Sequence, residues 1–128
     1  MIFFNDPVVV PNPAERAVRM AVAMRGRVEE LQVAWRKRDY ELGFGIGITQ
    51  GYATIGAIGF EGRRDYGAIG TVTNLAARLC SEATDGQILV SSRVATAAEG
   101  FAEAREVGSL ALKGLSRPVR TFNIGELK

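Results

Sequence analysis

Residues 42–48 alternate a large apolar residue with a glycine, and this alternation restricts the folds open to the chain. The segment reads Leu-Gly-Phe-Gly-Ile-Gly-Ile, which has the two-residue period of a β-strand. One complete face of that strand would consist of Gly43, Gly45 and Gly47. Because glycine weakens a strand, three glycines on one face predict that a backbone, a helix or a partner approaches that face closely.

The sequence before this strand predicts a short strand and a long helix. Residues 1–4 are predicted as an apolar strand, and Asn12 as the N-cap of a helix with proline at its first position. Apolar residues then recur at steps of three and four, which predicts a buried stripe. The stripe comprises Ala17, Ala21, Met24, Val28, Leu31 and Trp35. The basic residues mainly off the stripe are interpreted as a solvated face; they are Arg16, Arg19, Arg25, Arg27, Arg36 and Lys37.

Residues 63–79 are the part of the sequence most plainly suited to chemistry. They are predicted as a loop leading into a second helix, which Thr71 or Thr73 can cap. Asn74 and Arg78 are four residues apart, so they lie on one helix face, where a ligand or a partner can contact both. Taken alone, such a pair is more often a solvated helix edge.

The other predicted elements complete an α+β fold. Gln50-Gly51 indicates a hairpin with residues 52–58 as the returning strand. Residues 87–90 are predicted as a buried strand, Ser91 as the cap of a short helix, and residues 102–112 and 119–124 as a C-terminal hairpin. This order predicts one domain over residues 1–128, with helices packed on a largely antiparallel sheet.

Composition excludes several classes of site. The chain has no histidine and one cysteine, which removes His-based nucleophile systems, His general bases, His-containing zinc sites and thiolate metal cages. Carboxylates, arginine, lysine, amides and backbone remain, and these are the groups used in phosphoryl transfer. The formal charge of +2, with arginine spread along the chain, does not predict nucleic-acid binding.

Cellular location is predicted from what the sequence lacks. Cys80 is interpreted as a packed thiol of a reducing compartment. No apolar run reaches the roughly 20 residues of a membrane span. We therefore expect a cytoplasmic chain with no membrane segment.

A series of short motifs extends over nearly the whole chain. They are Gly45-Ile46-Gly47-Ile48 with Gly51-Tyr52, Gly56, Ile58-Gly59, Arg63 with Asp65-Tyr66, Ile69-Gly70, Asn74-Leu75-Ala76-Ala77-Arg78-Leu79, Gly86-Gln87-Ile88 and Leu112-Lys113-Gly114. In order and spacing these motifs resemble the class III adenylate/guanylate cyclase catalytic domain. The resemblance implies a ferredoxin-like nucleotide cyclase fold, head-to-tail homodimers and active sites shared between two subunits.

The resemblance also implies roles for individual residues, with ATP as the substrate. Asn74 matches the asparagine that orients the ribose. Arg78 matches the arginine that stabilises charge on the α-phosphoryl group, and Lys113 matches the lysine that binds the terminal phosphates.

Two departures from the family pattern accompany these matches. The family holds two magnesium or manganese ions with two aspartates, one in the first strand and one in a Gly-Asp turn just upstream of the strand predicted here at residues 1–4. Both aspartates, and the first strand and helix, are therefore expected to precede Met1. Asp6 and Asp65 are not plausible substitutes, so no metal ligand is assigned here. We therefore expect a C-terminal portion of a cyclase domain that holds no metal and is inactive alone. Gly67 stands where the family bears a purine-selecting side chain, which leaves ATP against GTP unassigned.

Three functions are compatible with the sequence. The first is a portion of a nucleotide cyclase that acts in signal transduction, with ATP ahead of GTP as the substrate. The second is a non-catalytic cyclase-homology module that regulates a partner through dimerisation. The third is a nucleic-acid-binding ferredoxin-like domain, which the sequence disfavours because paired aromatics on adjacent strands are missing.

Overall fold

The computed structural model describes residues 2–5, 9–52, 54–60, 63–111 and 117–128, with residues 54–60 and 63–69 described by their backbone. The helices in this part are α1 (Pro13–Arg36), α2 (Thr71–Glu82) and α3 (Ser92–Ala98). The strands are β1 (Ile46–Ile48), β2 (Thr54–Phe60), β3 (Arg63–Ile69), β4 (Ile88–Ser91), β5 (Ala102–Leu110) and β6 (Val119–Leu127). None of these helices has the length and hydropathy needed to cross a bilayer.

The main sheet has four strands in the order β1-β4-β6-β5 within the described residues. Strand β1 runs parallel to β4, with Gly47 opposite Leu89, whereas the β4-β6 and β5-β6 pairs are antiparallel. Strands β2 and β3 form a separate antiparallel ribbon. The predicted α+β fold with helices on a largely antiparallel sheet is therefore confirmed.

Each face of the main sheet packs against different helices. The residues of β1 that alternate with glycine, Ile46 and Ile48, contact the hydrophobic core formed with α1 and α3. The opposite face at Gly45 and Gly47 lies against α2. Buried residues of that core are Val18, Ala21, Ile88, Val90, Val94, Ala95, Ala98, Ala102 and Ile124. The sheet thus separates the core from the helix that carries Asn74 and Arg78.

Four predicted strand features are wrong. Residues 2–5 form no strand, and only residues 46–48 of the strand predicted over residues 42–48 are in β1. Residues 63–69 are a strand rather than a loop, and β2 pairs with β3 rather than returning along β1. A two-residue period identifies a chain segment as extended, but the hydrogen-bond partner depends on the tertiary fold.

Helix α1 has the predicted extent but not the predicted burial. Ala17 and Ala21 are buried, whereas Leu31 is 44% exposed and the polar Gln32 is buried in the same half of the helix. Asn12 has a φ of 49° and makes no side-chain cap. The apolar stripe therefore packs on the core only in the amino-terminal half of α1.

Arg25 lies on α1 but is not part of a solvated face. Its guanidinium Nη1 donates to the Ile124 carbonyl at 2.9 Å and more weakly to that of Gly86 at 3.4 Å, and Nη2 donates to the Gly125 carbonyl at 2.6 Å. The prediction of a solvated side chain is wrong for this arginine, because it joins α1 to β6 and to the turn before β4.

Candidate functional site

Helix α2 begins at a glycine turn. Gly70 has a φ of 152° and serves as the N-cap, and no side chain caps the helix. The Thr73 hydroxyl donates to the Gly70 carbonyl at 2.7 Å instead of accepting from an amide, and Thr71 is the first helical residue. The prediction of a threonine cap is wrong, while the turn predicted at Gly70 is confirmed.

The glycine face of β1 forms the surface on which α2 packs. A Cβ atom built on Gly47 would lie 2.5 Å from the Ala76 carbonyl oxygen and closer still to the Cys80 amide nitrogen. A Cβ atom on Gly45 would lie 2.8 Å from the Ala83 Cβ. The close approach predicted from the alternating glycines is confirmed. The backbone of α2 approaches Gly47, and the side chain of Ala83, the C-cap of α2, approaches Gly45.

Two further contacts hold the ends of α2. At its start, the Thr49 hydroxyl donates to the Val72 carbonyl at 2.7 Å. Beyond its end, the Asp85 carboxylate Oδ1 accepts hydrogen bonds from Gln32 Nε2 and from the Phe44 amide, both at 2.9 Å. These hydrogen bonds hold the pKa of Asp85 below its usual value, and the bond from Gln32 has a larger effect than the bond from Phe44. The turn after α2 is therefore attached both to α1 and to the segment that enters β1.

Asn74 and Arg78 are both exposed on α2, one helical turn apart. Leu79, next to Arg78, is fully buried. The apolar side of α2 therefore packs against the protein, and Asn74 and Arg78 lie beside it on the exposed side. Cys80 is exposed as well, so the prediction of a packed thiol is wrong. The packing of α2 on β1 therefore leaves the Asn74 and Arg78 side chains accessible to a ligand or a second subunit.

Glu82 is a contact of Arg78 that the sequence-based predictions did not include. The Nε atom of Arg78 donates to Glu82 Oε1 at 3.0 Å, and the two side chains are 47% and 44% exposed. The four-residue spacing of opposite charges on a predicted helix was the available signal. An exposed pair of this kind is weak, so it orients Arg78 without holding it firmly.

Of the other two predicted site residues, the structure describes the backbone of Gly67 but does not describe Lys113. Gly67 pairs with Gly56 across the β2-β3 ribbon, three residues before the turn at Gly70. Lys113 lies outside the described residues, in the connection that follows the last β5-β6 pair, Leu110 with Val119. The proposed role of Lys113 therefore stays a prediction.

The hairpin that leads to Lys113 is joined by a cross-strand ion pair. Arg120 donates to both carboxylate oxygens of Glu106, at 3.1 and 2.7 Å. Its guanidinium also lies 5.3 Å from the centre of the Phe122 ring. The hydrogen bond from Arg120 lowers the pKa of Glu106, because it stabilises the charged carboxylate. The pair thus links the two strands of the hairpin on the side of the Phe122 ring.

The described residues do not by themselves fit a metal site. No group of three Asp, Glu, Cys or His side chains converges within them. The Asp85 carboxylate is committed to Gln32 and Phe44, and the Glu82 carboxylate to Arg78. In-line phosphoryl transfer with two metals requires carboxylates that converge on ions roughly 3.5 to 4 Å apart.

The cavity found between α1 and β6 is separate from the Asn74 and Arg78 face. It has a volume of about 480 Å³ and is lined by residues of α1, by Gly86 and by the end of β6, including Arg25 and Glu126. Neither Asn74 nor Arg78 lines it, so these two residues lie on an open helix surface rather than in this cavity.

Comparisons with known proteins agree with the fold. The sequence profile of the adenylate and guanylate cyclase catalytic domain matches residues 1–126. Adenylate cyclase 1 of Rhizobium meliloti is 30% identical over 124 residues, which cover 94% of this chain. Those residues are 19% of that relative's length, so the chain spans about a fifth of it.

Solved cyclase structures superimpose closely on the chain. The adenylyl cyclase CyaB from P. aeruginosa matches with a TM-score of 0.86 and 35% identity, over 96% of this chain and 65% of that one. The guanylyl cyclase Cya2 matches with a TM-score of 0.82 and 31% identity, over 98% of this chain and 64% of that one. One relative is an adenylyl and the other a guanylyl cyclase, so the likeness does not distinguish the two bases.

Proposed function

The chain belongs to the adenylate and guanylate cyclase catalytic domain family, and on that premise we propose that it supplies part of a class III cyclase site used in signal transduction. The proposed reaction converts ATP to the 3′,5′-cyclic nucleotide and pyrophosphate. The observation that carries the proposal is the exposure of Asn74 and Arg78 one turn apart on α2. GTP is the second candidate substrate, because Gly67 offers no side chain to select the purine.

Arg78 is proposed to act on the charge that develops during the reaction. As the ribose 3′-hydroxyl attacks the α-phosphorus, negative charge grows on the α-phosphoryl oxygens and on the departing pyrophosphate. A guanidinium is permanently charged and offers a planar set of donors, so it binds this state more tightly than the substrate. One donor of this kind contributes on the order of 10² to 10³ in rate.

Asn74 and Lys113 are proposed to position the nucleotide. The Asn74 amide can donate to and accept from ribose hydroxyls, which would hold the 3′-hydroxyl in line with the α-phosphorus. Lys113 is proposed to bind the terminal phosphates as a point charge. These roles follow from the family and from the chemistry of the side chains.

The site is proposed to be shared between two subunits, in a homodimer or another self-association, and its metal ligands are proposed to lie outside the described residues of this chain. In the complete domain two magnesium or manganese ions would supply Lewis-acid chemistry at the phosphates. Because the described residues do not fit such a site, we propose that the 128-residue chain alone makes no cyclic nucleotide.

Complementation tests the proposal directly. The partner is a complete family domain in which the residues equivalent to Asn74 and Arg78 are replaced by alanine. Neither protein alone should be active, and the mixture should produce cyclic nucleotide with magnesium or manganese. Arg78→Ala in this chain should lower the restored activity by about 10²- to 10³-fold. Arg93→Ala, an exposed arginine of α3 on the other side of the sheet, should retain it.

Each outcome has a defined meaning. A silent mixture, with both proteins shown to associate, would reject the catalytic role and favour the regulatory dimerisation module. Robust cyclic nucleotide production by this chain alone would contradict the proposed inactivity. Parallel assays with ATP and GTP would assign the base.

A further inference from the structure

We infer that Gly45 and Gly47 are positioning residues of the Asn74 and Arg78 site, because the lack of side chains at these positions sets the distance of α2 from the sheet. This inference rests on the proposed function where it concerns activity. The part that concerns the position of α2 on the sheet rests only on the contacts between α2 and β1, and it can be tested without measuring catalysis.

Helix α2 follows β1 in a defined register from one end to the other. The residues on the glycine side of the strand contact α2 in reverse order, so the two elements run antiparallel. Thr49 bonds to Val72 at the helix start, and Gly45 meets Ala83 at the helix end. Between them lies Gly47, against the middle of the helix. The position of α2 along the strand is therefore fixed at several points.

The contact at Gly47 involves main-chain atoms of α2. The methyl group of an alanine at this position would be 2.5 Å from the Ala76 carbonyl oxygen, where ordinary contacts begin at 3.4 Å. Main-chain atoms inside a helix cannot rotate away as a flexible side chain can. An alanine would therefore displace the helix by roughly 1 Å, a misplacement that can cost about 10²-fold in a positioned reaction.

Asn74 and Arg78 are both close to this contact along the helix. Arg78 lies between Ala76 and Cys80, the two residues whose backbone atoms face Gly47, and Asn74 lies two residues before Ala76. A shift of the helix at Gly47 therefore moves both side chains together relative to the rest of the sheet. Neither glycine needs to contact the nucleotide to affect its reaction.

The contact at Gly45 differs because it involves a side chain. A Cβ at this position would lie 2.8 Å from the Ala83 Cβ and 3.1 Å from the Ala83 carbonyl oxygen. Replacing Ala83 with glycine removes the closer atom and leaves a contact that small adjustments relieve. Ala83 is the C-cap residue of α2 and has an extended backbone, with φ −67° and ψ 129°, which glycine also adopts. Gly45→Ala should therefore be rescued by Ala83→Gly, whereas Gly47→Ala has no such partner.

The experiment measures both activity and helix packing in five proteins: the parent, Gly47→Ala, Gly45→Ala, Gly45→Ala with Ala83→Gly, and Gly26→Ala. Gly26 is the matched control, because a Cβ there would contact nothing within 4 Å. Activity is measured in the complementation mixture as separate kcat and KM values. Packing is measured as amide hydrogen exchange of α2 in this chain alone.

We expect Gly47→Ala to lower kcat by about 10²-fold with a much smaller change in KM. Gly45→Ala should lower kcat as well, and the double variant should return to within a few-fold of the parent. Gly26→Ala should match the parent. Exchange of the α2 amides should rise in both single glycine variants and recover in the double variant.

Three results would overturn the inference. The first is a double variant that stays as impaired as Gly45→Ala, and the second is α2 exchange in Gly47→Ala equal to that of the parent. The third is a decrease in kcat that only matches the loss of folded protein. If the parent mixture makes no cyclic nucleotide, the proposed function fails. The hydrogen-exchange data alone then decide whether the two glycines set the position of α2 on the sheet. If kcat falls only in proportion to the loss of folded protein, the glycines affect stability and do not position the site.

Discussion

Replacing Arg25 with methionine should destabilise the fold, because this side chain joins three separate backbone segments. Its guanidinium donates to the carbonyls of Ile124 at 2.9 Å, Gly125 at 2.6 Å and, more weakly, Gly86 at 3.4 Å. Methionine keeps a long unbranched stem over the same surface and removes every donor. The change therefore reports on the hydrogen bonds rather than on packing.

The two short hydrogen bonds set the magnitude. Net contributions for bonds with a charged partner begin at about 1.5 kcal/mol. Ile124 is buried, but the half-buried Gly125 can regain some solvation from water, so we expect a loss of about 2 to 3 kcal/mol in total. For a chain of 128 residues this corresponds to a decrease in Tm of about 6 to 15 °C.

Chemical denaturation of this chain measures the free energy of unfolding, and an unchanged m-value would confirm that the two folded states are comparable. Arg27→Met is the matched control, because Arg27 lies on the same helix and pairs only with the exposed Glu30 among the described residues. That control should change stability by no more than about 0.5 kcal/mol. Equal destabilisation by the two variants would refute the assignment of Arg25 as a structural tie.

Two further changes test contacts around α2. Glu82→Gln frees Arg78 from an exposed pair worth at most about 1 kcal/mol, so complemented activity should rise, but by no more than about fivefold; a larger change, or a decrease, would mean that Glu82 has another role. Asp85→Asn should lower the free energy of unfolding at neutral pH, because hydrogen bonds from Gln32 and then from Phe44 hold the pKa of Asp85 below 3.8 in the folded state. That stabilisation is present above pH 3.8 and is lost as the pH falls through the lowered pKa of the folded state. The free energy of unfolding should therefore decrease less steeply with acid in the variant than in the parent. Parallel pH profiles for the two proteins would contradict this account.

The candidate site was predictable to the extent that it depends on local spacing. Asn74 and Arg78 share a helix face because they are four residues apart, and the structure confirms that helix. Glu82 was equally available, since it stands four residues after Arg78. The relation of this face to Gly67 and Lys113 does not follow from spacing, because it depends on how two hairpins are oriented.

Parts of the fold were predictable for the same reason, and parts were not. The extents of α1 and α3, and the presence of the β5-β6 hairpin, follow from periodicity and from turn residues, although the ends of the hairpin strands differ from the prediction by two or three residues. The pairing partner of β2 could not be predicted in this way, because the sequence pattern of a strand does not distinguish pairing with the preceding strand from pairing with the following one. The structure pairs it with β3.

The sequence by itself determined that something must approach the glycine face of β1, since a strand face without side chains leaves space for a backbone. Only the tertiary structure decided that α2 fills that space, and that Arg25 bonds to carbonyls rather than to water. Arg25 and its acceptors are 61 to 100 residues apart in the chain. Periodicity records which way a side chain faces, whereas the atom that it meets is decided by how distant segments pack together.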